Sequence, residues 1–217
     1  MLALTLPCTG QSIATGTPAL LPDSPTAINS AFGTRLAAHG SWLAVGADHD
    51  LNDFPGIGEV HLFQDVGSGW QQRQRLTAPD GFVGDHFGLP VLLGSDILAV
   101  GAPTDDDLGH WSGSVYVYRL LQHEWVFEAK LLPPLSDNTY GLFGLTLSFG
   151  LDENELLIGA YTESTDAHTS GAVHIFNKTN DTWSASQRLA LRIGGLGAQG
   201  VGAARGRKRE RRFDVRR

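Results

Sequence analysis

Three stretches of this chain repeat one another landmark for landmark, and that self-similarity limits its possible folds more than any other feature. Phe32-Gly33, Phe87-Gly88 and Phe143-Gly144 each open a copy, and each copy then reaches an apolar run ending in Gly-Ala, at Ala47, Ala102 and Ala160. Twelve residues beyond that glycine comes Gly-x-Val, at Gly58, Gly113 and Gly171, followed by the strings VHLF, VYVY and VHIF. A tryptophan follows (Trp70, Trp125, Trp183), and six residues later a leucine (Leu76, Leu131, Leu189). Every landmark advances by 55 residues from the first copy to the second, then by 56 for the phenylalanine and 58 for the later landmarks. The added residues fall at 151–155, where a loop must absorb them. A fixed period of this size marks a repeat architecture, in which each unit buries its apolar face on its neighbour.

Within a copy the pattern reads as four short strands. In the first copy these are Arg35 to Ala38, Trp42 to Gly46, Glu59 to Gln64 and Trp70 to Leu76, with turns at His39-Gly40-Ser41 and Gly67-Ser68-Gly69. Val, Ile, Leu and aromatic residues dominate them, alternating where one face meets solvent, and no stretch keeps a helical period. Four strands in about 55 residues is the size of a propeller blade. The fold class is therefore all-β: three blades of four antiparallel strands, at 31–84, 85–140 and 141–190. Small Gly-Ala pairs would permit close backbone approach near a crowded centre, and the repeated Phe and Trp would fill the space between blades. Residues 1–30, rich in Thr, Pro, Ser and Gly, read as a linker or remnant N-terminal strand. Residues 191–217 turn to Gly, Ala and Arg and read as a disordered basic tail, or as a stretch translated in an altered frame. Three blades form an incomplete propeller, since four is the ordinary minimum. The expectation is a portion of a longer array, or a chain that self-associates to complete the ring.

Phe-Gly followed by Gly-Ala-Pro, complete in the second copy as Phe87-Gly88 and Gly101-Ala102-Pro103, resembles the FG-GAP repeat of integrin α-type β-propellers. LAVGAP, an Asp-rich loop, GSVYVY and a Trp six residues before a Leu come in the order seen in bacterial FG-GAP proteins. The resemblance covers roughly residues 30–190. It implies a non-enzymatic binding or adhesion scaffold for a protein or carbohydrate ligand, extracellular or at the cell surface, with the periplasm as a further compartment. The alternative is a non-catalytic repeat segment of a larger secreted hydrolase or lyase, since such arrays accompany these enzymes. The loops Asp48 to Gly56, Asp105 to Ser112 and Glu163 to Ser170 would form the contact rim. The family often holds Ca²⁺ in an Asp-x-Asp-x-Asp-Gly-x-x-Asp loop before the second strand of a blade. Here that loop is only HGS in the first copy and GSD in the second. The third has Asp152, Glu153, Asn154 and Glu155 without the glycine or full spacing, so the usual site is absent or vestigial.

A different acidic cluster follows Gly-Ala. Asp48, Asp50 and Asn52 in the first copy, and Asp105 and Asp107 in the second, place oxygen atoms on alternate residues, as a hard cation such as Ca²⁺ requires. A solvated Asp-rich turn is the plainer reading, because no bidentate Glu stands at a fixed later position. No cofactor is otherwise implied. His61 and His174 align with Tyr116 at one strand position and read as a blade surface feature. The eight histidines form no metal-ligand spacing, and neither a Gly-x-Ser-x-Gly elbow nor a phosphate-cradling loop occurs, so the chain reads as no enzyme. The sequons at Asn177 and Asn180 lie in a turn between strands.

Charge excludes one class of partner. Residues 205–217 hold eight basic and two acidic side chains, a balance of +6, and the rest of the chain holds 8 basic and 21 acidic, a balance of −13. An acidic β-domain lacks the basic face that nucleic acid requires. No run approaches the roughly 20 apolar residues of a membrane-spanning helix. The opening MLALTLPC is short and has no basic flank, so no clear signal peptide stands there. LPCTG, at Leu6 to Gly10, matches a sortase sorting signal but lies at the wrong end for one. The single Cys8 allows neither a disulfide framework nor a cysteine metal site.

Overall fold

A computed structural model describes residues 31–48, 56–134, 140–165 and 168–190. The expectations for residues 1–30 and for 191–217 lie outside these described residues. The first blade is β1 (Arg35–His39), β2 (Trp42–Ala47), β3 (Glu59–Asp65) and β4 (Trp70–Leu76), paired antiparallel in sequence order. The second repeats it with β5 (Val91–Leu93), β6 (Ile97–Ala102), β7 (Ser114–Leu121) and β8 (Glu124–Leu131). The third begins with β9 (Phe143–Phe149) and β10 (Glu155–Ala160). After a two-residue ribbon of β11 (Ser164–Thr165) and β12 (His168–Thr169) it ends with β13 (Ala172–Thr179) and β14 (Thr182–Ala190). The three sheets do not close into a ring. No described helix is long and apolar enough to cross a membrane.

The predicted strands of the first copy agree with those formed to within one residue at each end. The extra residues of the third copy form a turn between β9 and β10, closed by Gly150 N–H donating to the carbonyl of Glu155 at 2.8 Å. One irregularity recurs in every blade. The register of the third and fourth strands shifts between Leu62 and Phe63, between Val117 and Tyr118, and between Ile175 and Phe176. Each is a β-bulge at the same repeat position, with Arg73, Glu128 and Ser186 as the residue left over.

Period-two alternation divides each sheet into two faces, and both faces of the middle blade are covered. Toward the first blade it turns Leu98, Val100, Tyr116 and Tyr118, which bury against Ala44, Val60, Leu62 and Leu76. Toward the third it turns Ile97, Ala99, Val115 and Val117, against Leu156, Ile158 and Phe176. This explains why β6 is apolar and buried along its whole length, unlike an ordinary half-exposed antiparallel strand. Phe87 and Trp125 lie buried between the first two blades, and Phe143 and Trp183 between the second and third. Trp42 and Trp125 meet edge to face with centroids 5.7 Å apart. Phe32 and Trp70 fill no such junction, and Phe32 is exposed.

The glycines of the repeat sit where consecutive blades touch. A Cβ on Gly46 would lie 2.4 Å from the carbonyl oxygen of Gly88, and one on Gly101 would lie 2.3 Å from that of Gly144. Gly58 and Gly113 face the backbone of Phe87 and Phe143 just as closely. Phe143 N–H donates to the carbonyl of Ser112 at 3.1 Å, so chain meets chain with no room for a side chain. The Phe-Gly, Gly-Ala and Gly-x-Val landmarks are thus three parts of one inter-blade joint.

Candidate functional site

Beneath one rim of the blades the repeat builds the same constellation three times. The third residue of β3, β7 and β13 (His61, Tyr116, His174) faces a basic residue directly across on the fourth strand, Arg75, Lys130 and Arg188 respectively. The phenylalanine of Phe-Gly meets the His or Tyr ring edge-on in every copy, at centroid distances of 5.2, 5.3 and 5.5 Å. His61, Tyr116 and His174 are all buried. This corrects the expectation of a blade surface feature: the position alternates inward, and the adjacent phenylalanine covers it.

An acid completes each set. In the second copy it is Asp105, itself buried. Its Oδ2 accepts from Ser114 Oγ at 2.8 Å and lies 2.9 Å from Lys130 Nζ and 3.2 Å from the Tyr116 hydroxyl. Lys130 Nζ also reaches Asp107 Oδ2 at 2.6 Å and Asp80 Oδ2 at 2.9 Å, and stands 5.0 Å from the Tyr116 ring centroid. The Tyr116 hydroxyl donates to Asp80 Oδ1 at 2.7 Å. Burial by itself would make Lys130 easier to deprotonate, but bonds to Asp107, Tyr116, Asp105 and Asp80 outweigh it and hold the ammonium well above the usual lysine range. Burial also pushes the Tyr116 hydroxyl far up, so it stays a donor. Asp80 ends below the usual carboxylate range, since Tyr116 and Lys130 together overcome its desolvation.

In the third copy the acid is Glu163, buried like its partner His174, whose Nε2 lies 2.5 Å from Glu163 Oε2. Arg188 Nε donates to Glu163 Oε1 at 2.6 Å. Burial would raise the Glu163 pKa, but His174 and then Arg188 reverse that and hold it low. In the first copy the acid stands on the strand itself. Glu59 Oε1 lies 3.2 Å from Arg75 Nη1, and Glu59 Oε2 lies 3.1 Å from His61 Nε2.

The proposed metal ligands therefore part company. Asp105 and Asp107 do come together, but the ammonium of Lys130 stands between their carboxylates, where a divalent cation would have to sit. Asp48 is buried, with the Thr34 hydroxyl 3.5 Å away, and Asp50 and Asn52 lie outside the described residues. No group of three or more His, Cys, Asp or Glu among the described residues has a geometry for metal binding. The acidic loop of the third copy is also spoken for. Glu153 accepts from the Ser95 N–H at 2.8 Å and from its hydroxyl at 2.8 Å, tying this loop to the β5–β6 turn of the preceding blade, and Glu155 accepts from Leu151 N–H at 3.0 Å.

Sequence reasoning missed the basic member of the set, although a signal was present. Arg75, Lys130 and Arg188 each stand one residue before the repeating leucine. It also missed Glu128, the extra residue of the second bulge. Its Oε1 accepts from Trp183 Nε1 at 2.7 Å, and its Oε2 lies 2.9 Å from Arg119 Nε and 3.0 Å from Lys178 Nζ. A polar groove at this junction, about 570 Å³, is lined by these charges with Asp96, Asn154 and Asp181.

Of the predicted rim loops, 105–112 is described throughout, while 49–55 and 166–167 lie outside the described residues. The rim above the charged layer carries large exposed apolar side chains. Phe82, Val83, Trp111, Tyr140 and Tyr161 all stand exposed on loops that leave the second or fourth strand of a blade. Antiparallel alternation brings those two kinds of loop to one end of the molecule.

A family model described as FG-GAP repeat matches residues 70–118, from β4 across the joint into β7, and takes in Phe87-Gly88 and Gly101-Ala102-Pro103. A search of curated proteins gave no match. With the glycine joint at both contacts between blades, and the bulge and the His/Tyr-centred charged set in all three, the chain is a propeller-type module that carries an FG-GAP repeat.

Proposed function

We propose that this module is a non-enzymatic binding or adhesion scaffold that offers its apolar rim to a protein or carbohydrate ligand outside the cytoplasm, at a cell surface. One observation carries the reading. Beneath the rim Asp105 is held by Lys130, and Glu163 by His174 and Arg188, whereas large apolar side chains are left exposed above them. Exposed aromatic and apolar residues gathered on loops of a rigid scaffold are the usual material of a recognition surface. Acids paired with a fixed lysine or arginine are held ionised, which supports the non-enzymatic reading. The test is binding of the full chain to immobilised panels of glycans and of extracellular matrix proteins, with Phe82→Ser and Trp111→Ala as rim variants. A ligand lost in at least one folded rim variant is expected. No ligand on either panel, or binding indifferent to both substitutions, overturns the reading.

A further inference from the structure

Three aromatic rings form one ledge on this rim. His110 and Trp111 stack with centroids 4.8 Å apart and planes 25° apart, and Tyr140 meets them edge-on at 5.1 and 5.6 Å. The rings come from two loops joined through their backbones. Tyr140 N–H donates to the carbonyl of His110 at 2.6 Å, and Leu142 N–H donates to that of Trp111 at 3.0 Å. Asp106 fixes the ledge from below, its Oδ1 accepting from Trp111 N–H at 2.6 Å and lying 3.4 Å from His110 Nδ1.

Two features set this group apart from the packing of the blade. First, Trp111 and Tyr140 remain 43% and 52% exposed, although their backbones sit at φ +53° and +63°, in the left-handed region that bulky side chains avoid. Strain of this kind persists where a fixed orientation is useful, and it gathers at ligand clamps. Second, the repeat does not call for it. The positions aligned with Trp111 are Gly56 and Thr169, and the residue aligned with Tyr140 in the first copy is Gly84. The ledge is an addition to one blade.

We propose that this ledge is a carbohydrate subsite that stacks a neutral pyranose ring on Trp111 and accepts sugar hydroxyls at Asp106. The inference rests on the rim-binding reading above and names the ligand class for it. Ring geometry selects the ligand. A cage for a cation turns several ring faces onto an empty centre. Here His110 stacks on Trp111 and Tyr140 stands perpendicular beside both, so the rings enclose no empty centre and the exposed part of Trp111 serves as a flat shelf. The apolar C–H face of a pyranose suits such a shelf, and an aromatic with a polar group beside it holds one side dry and one side wet. Asp106 is exposed, and with Oδ1 engaged its other oxygen is left to accept from hydroxyls.

The test is saturation-transfer NMR of the full chain with maltohexaose, cellohexaose and chitohexaose, beside an arginine-rich peptide. At least one oligosaccharide is expected to receive transfer. Trp111→Ala should weaken that binding about tenfold or more, the scale of a lost aromatic stack, while Trp111→Phe keeps most of it and Leu151→Ser, on the exposed β9–β10 turn at the other end of the blades, leaves it unchanged. Asp106→Asn should weaken it less than Trp111→Ala. No transfer to any of the three, or transfer that Trp111→Ala does not alter, overturns the carbohydrate subsite. If the peptide or a panel protein binds through Trp111 while no sugar does, the subsite falls and the rim-binding reading stands. If neither class binds, both fall.

Discussion

Lys130 Nζ lies 2.9 Å from Asp105 Oδ2, and the same ammonium is shared with Asp107 and Asp80. The second blade thus carries its own fixed cation at the place where its acidic loop resembles a metal site. The third blade uses Arg188 in the same way against Glu163, and the first uses Arg75 against Glu59. Lys130→Met removes the charge and keeps most of the stem, leaving Asp105 buried without its counter-charge. Breaking a buried pair from one side costs about 3 kcal/mol or more. Urea denaturation should show that loss, and neither EDTA nor millimolar Ca²⁺ should move the wild-type midpoint. A calcium-dependent rise in the wild type would mean that the lysine gives way to the metal.

Gly101 and Gly40 separate two reasons for a glycine. Gly101→Ala would set a Cβ 2.3 Å from the carbonyl oxygen of Gly144 in the next blade, so one of the two backbones must shift. Overpacking of this sort costs about 3 kcal/mol. Gly40 has φ +57° and open space around it, so Gly40→Ala should cost only the 1–2 kcal/mol typical of a left-handed alanine. Melting both variants under one condition checks the order, and equal losses would argue against the inter-blade joint.

Glu128 and Trp183 couple the second and third blades. Trp183→Phe keeps a large ring in the junction but removes the Nε1–H that donates to Glu128 at 2.7 Å. The net value of one such bond to a charged acceptor is about 1.5–3 kcal/mol. Glu128→Ala should cost more than Trp183→Phe, because it removes the acceptor for Trp183 and also leaves Arg119 and Lys178 without their shared counter-ion. A double-mutant cycle on Glu128 and Trp183, read by denaturation, should return a coupling clearly above zero.

Glu163 makes stability depend on acidity. Burial pushes its carboxyl up, but His174 and Arg188 more than reverse this, leaving it below its ordinary value of 4.5. The folded state therefore favours the ionised form. Its contribution is complete above the unfolded pKa and is lost as pH falls through the lower folded value. The gap in unfolding free energy between wild type and Glu163→Gln should be widest near neutral pH and narrow as pH drops below 4.5. A gap that is constant from neutral pH to pH 3 would detach Glu163 from the acid response.

Much of the fold was legible because it repeats. Phe87, Gly101, Gly113 and Trp125 each have a counterpart in the other two copies, and a repeat can be read without knowing what its residues touch. The candidate site was less legible. Asp105 and Asp107 invite a metal because alternate oxygens are visible in one stretch of chain, whereas Lys130 lies 23 residues beyond Asp107 and enters only through the β7–β8 pairing. His61 and His174 misled for a related reason. Alternation tells which residues share a face, yet both faces of a blade can be covered, so a polar residue on one need not meet water.

The sequence by itself determined the period, the four strands of each blade, the turn positions and the glycines, because these follow from local conformation and spacing. The tertiary structure alone decided which face of each sheet meets which neighbour, which cation neutralises which acid, and which aromatic rings stay in the open. Those outcomes depend on strands far apart in the chain lying side by side. A charge pair or a stacked ring is fixed by distance in space, which a linear order of residues does not contain.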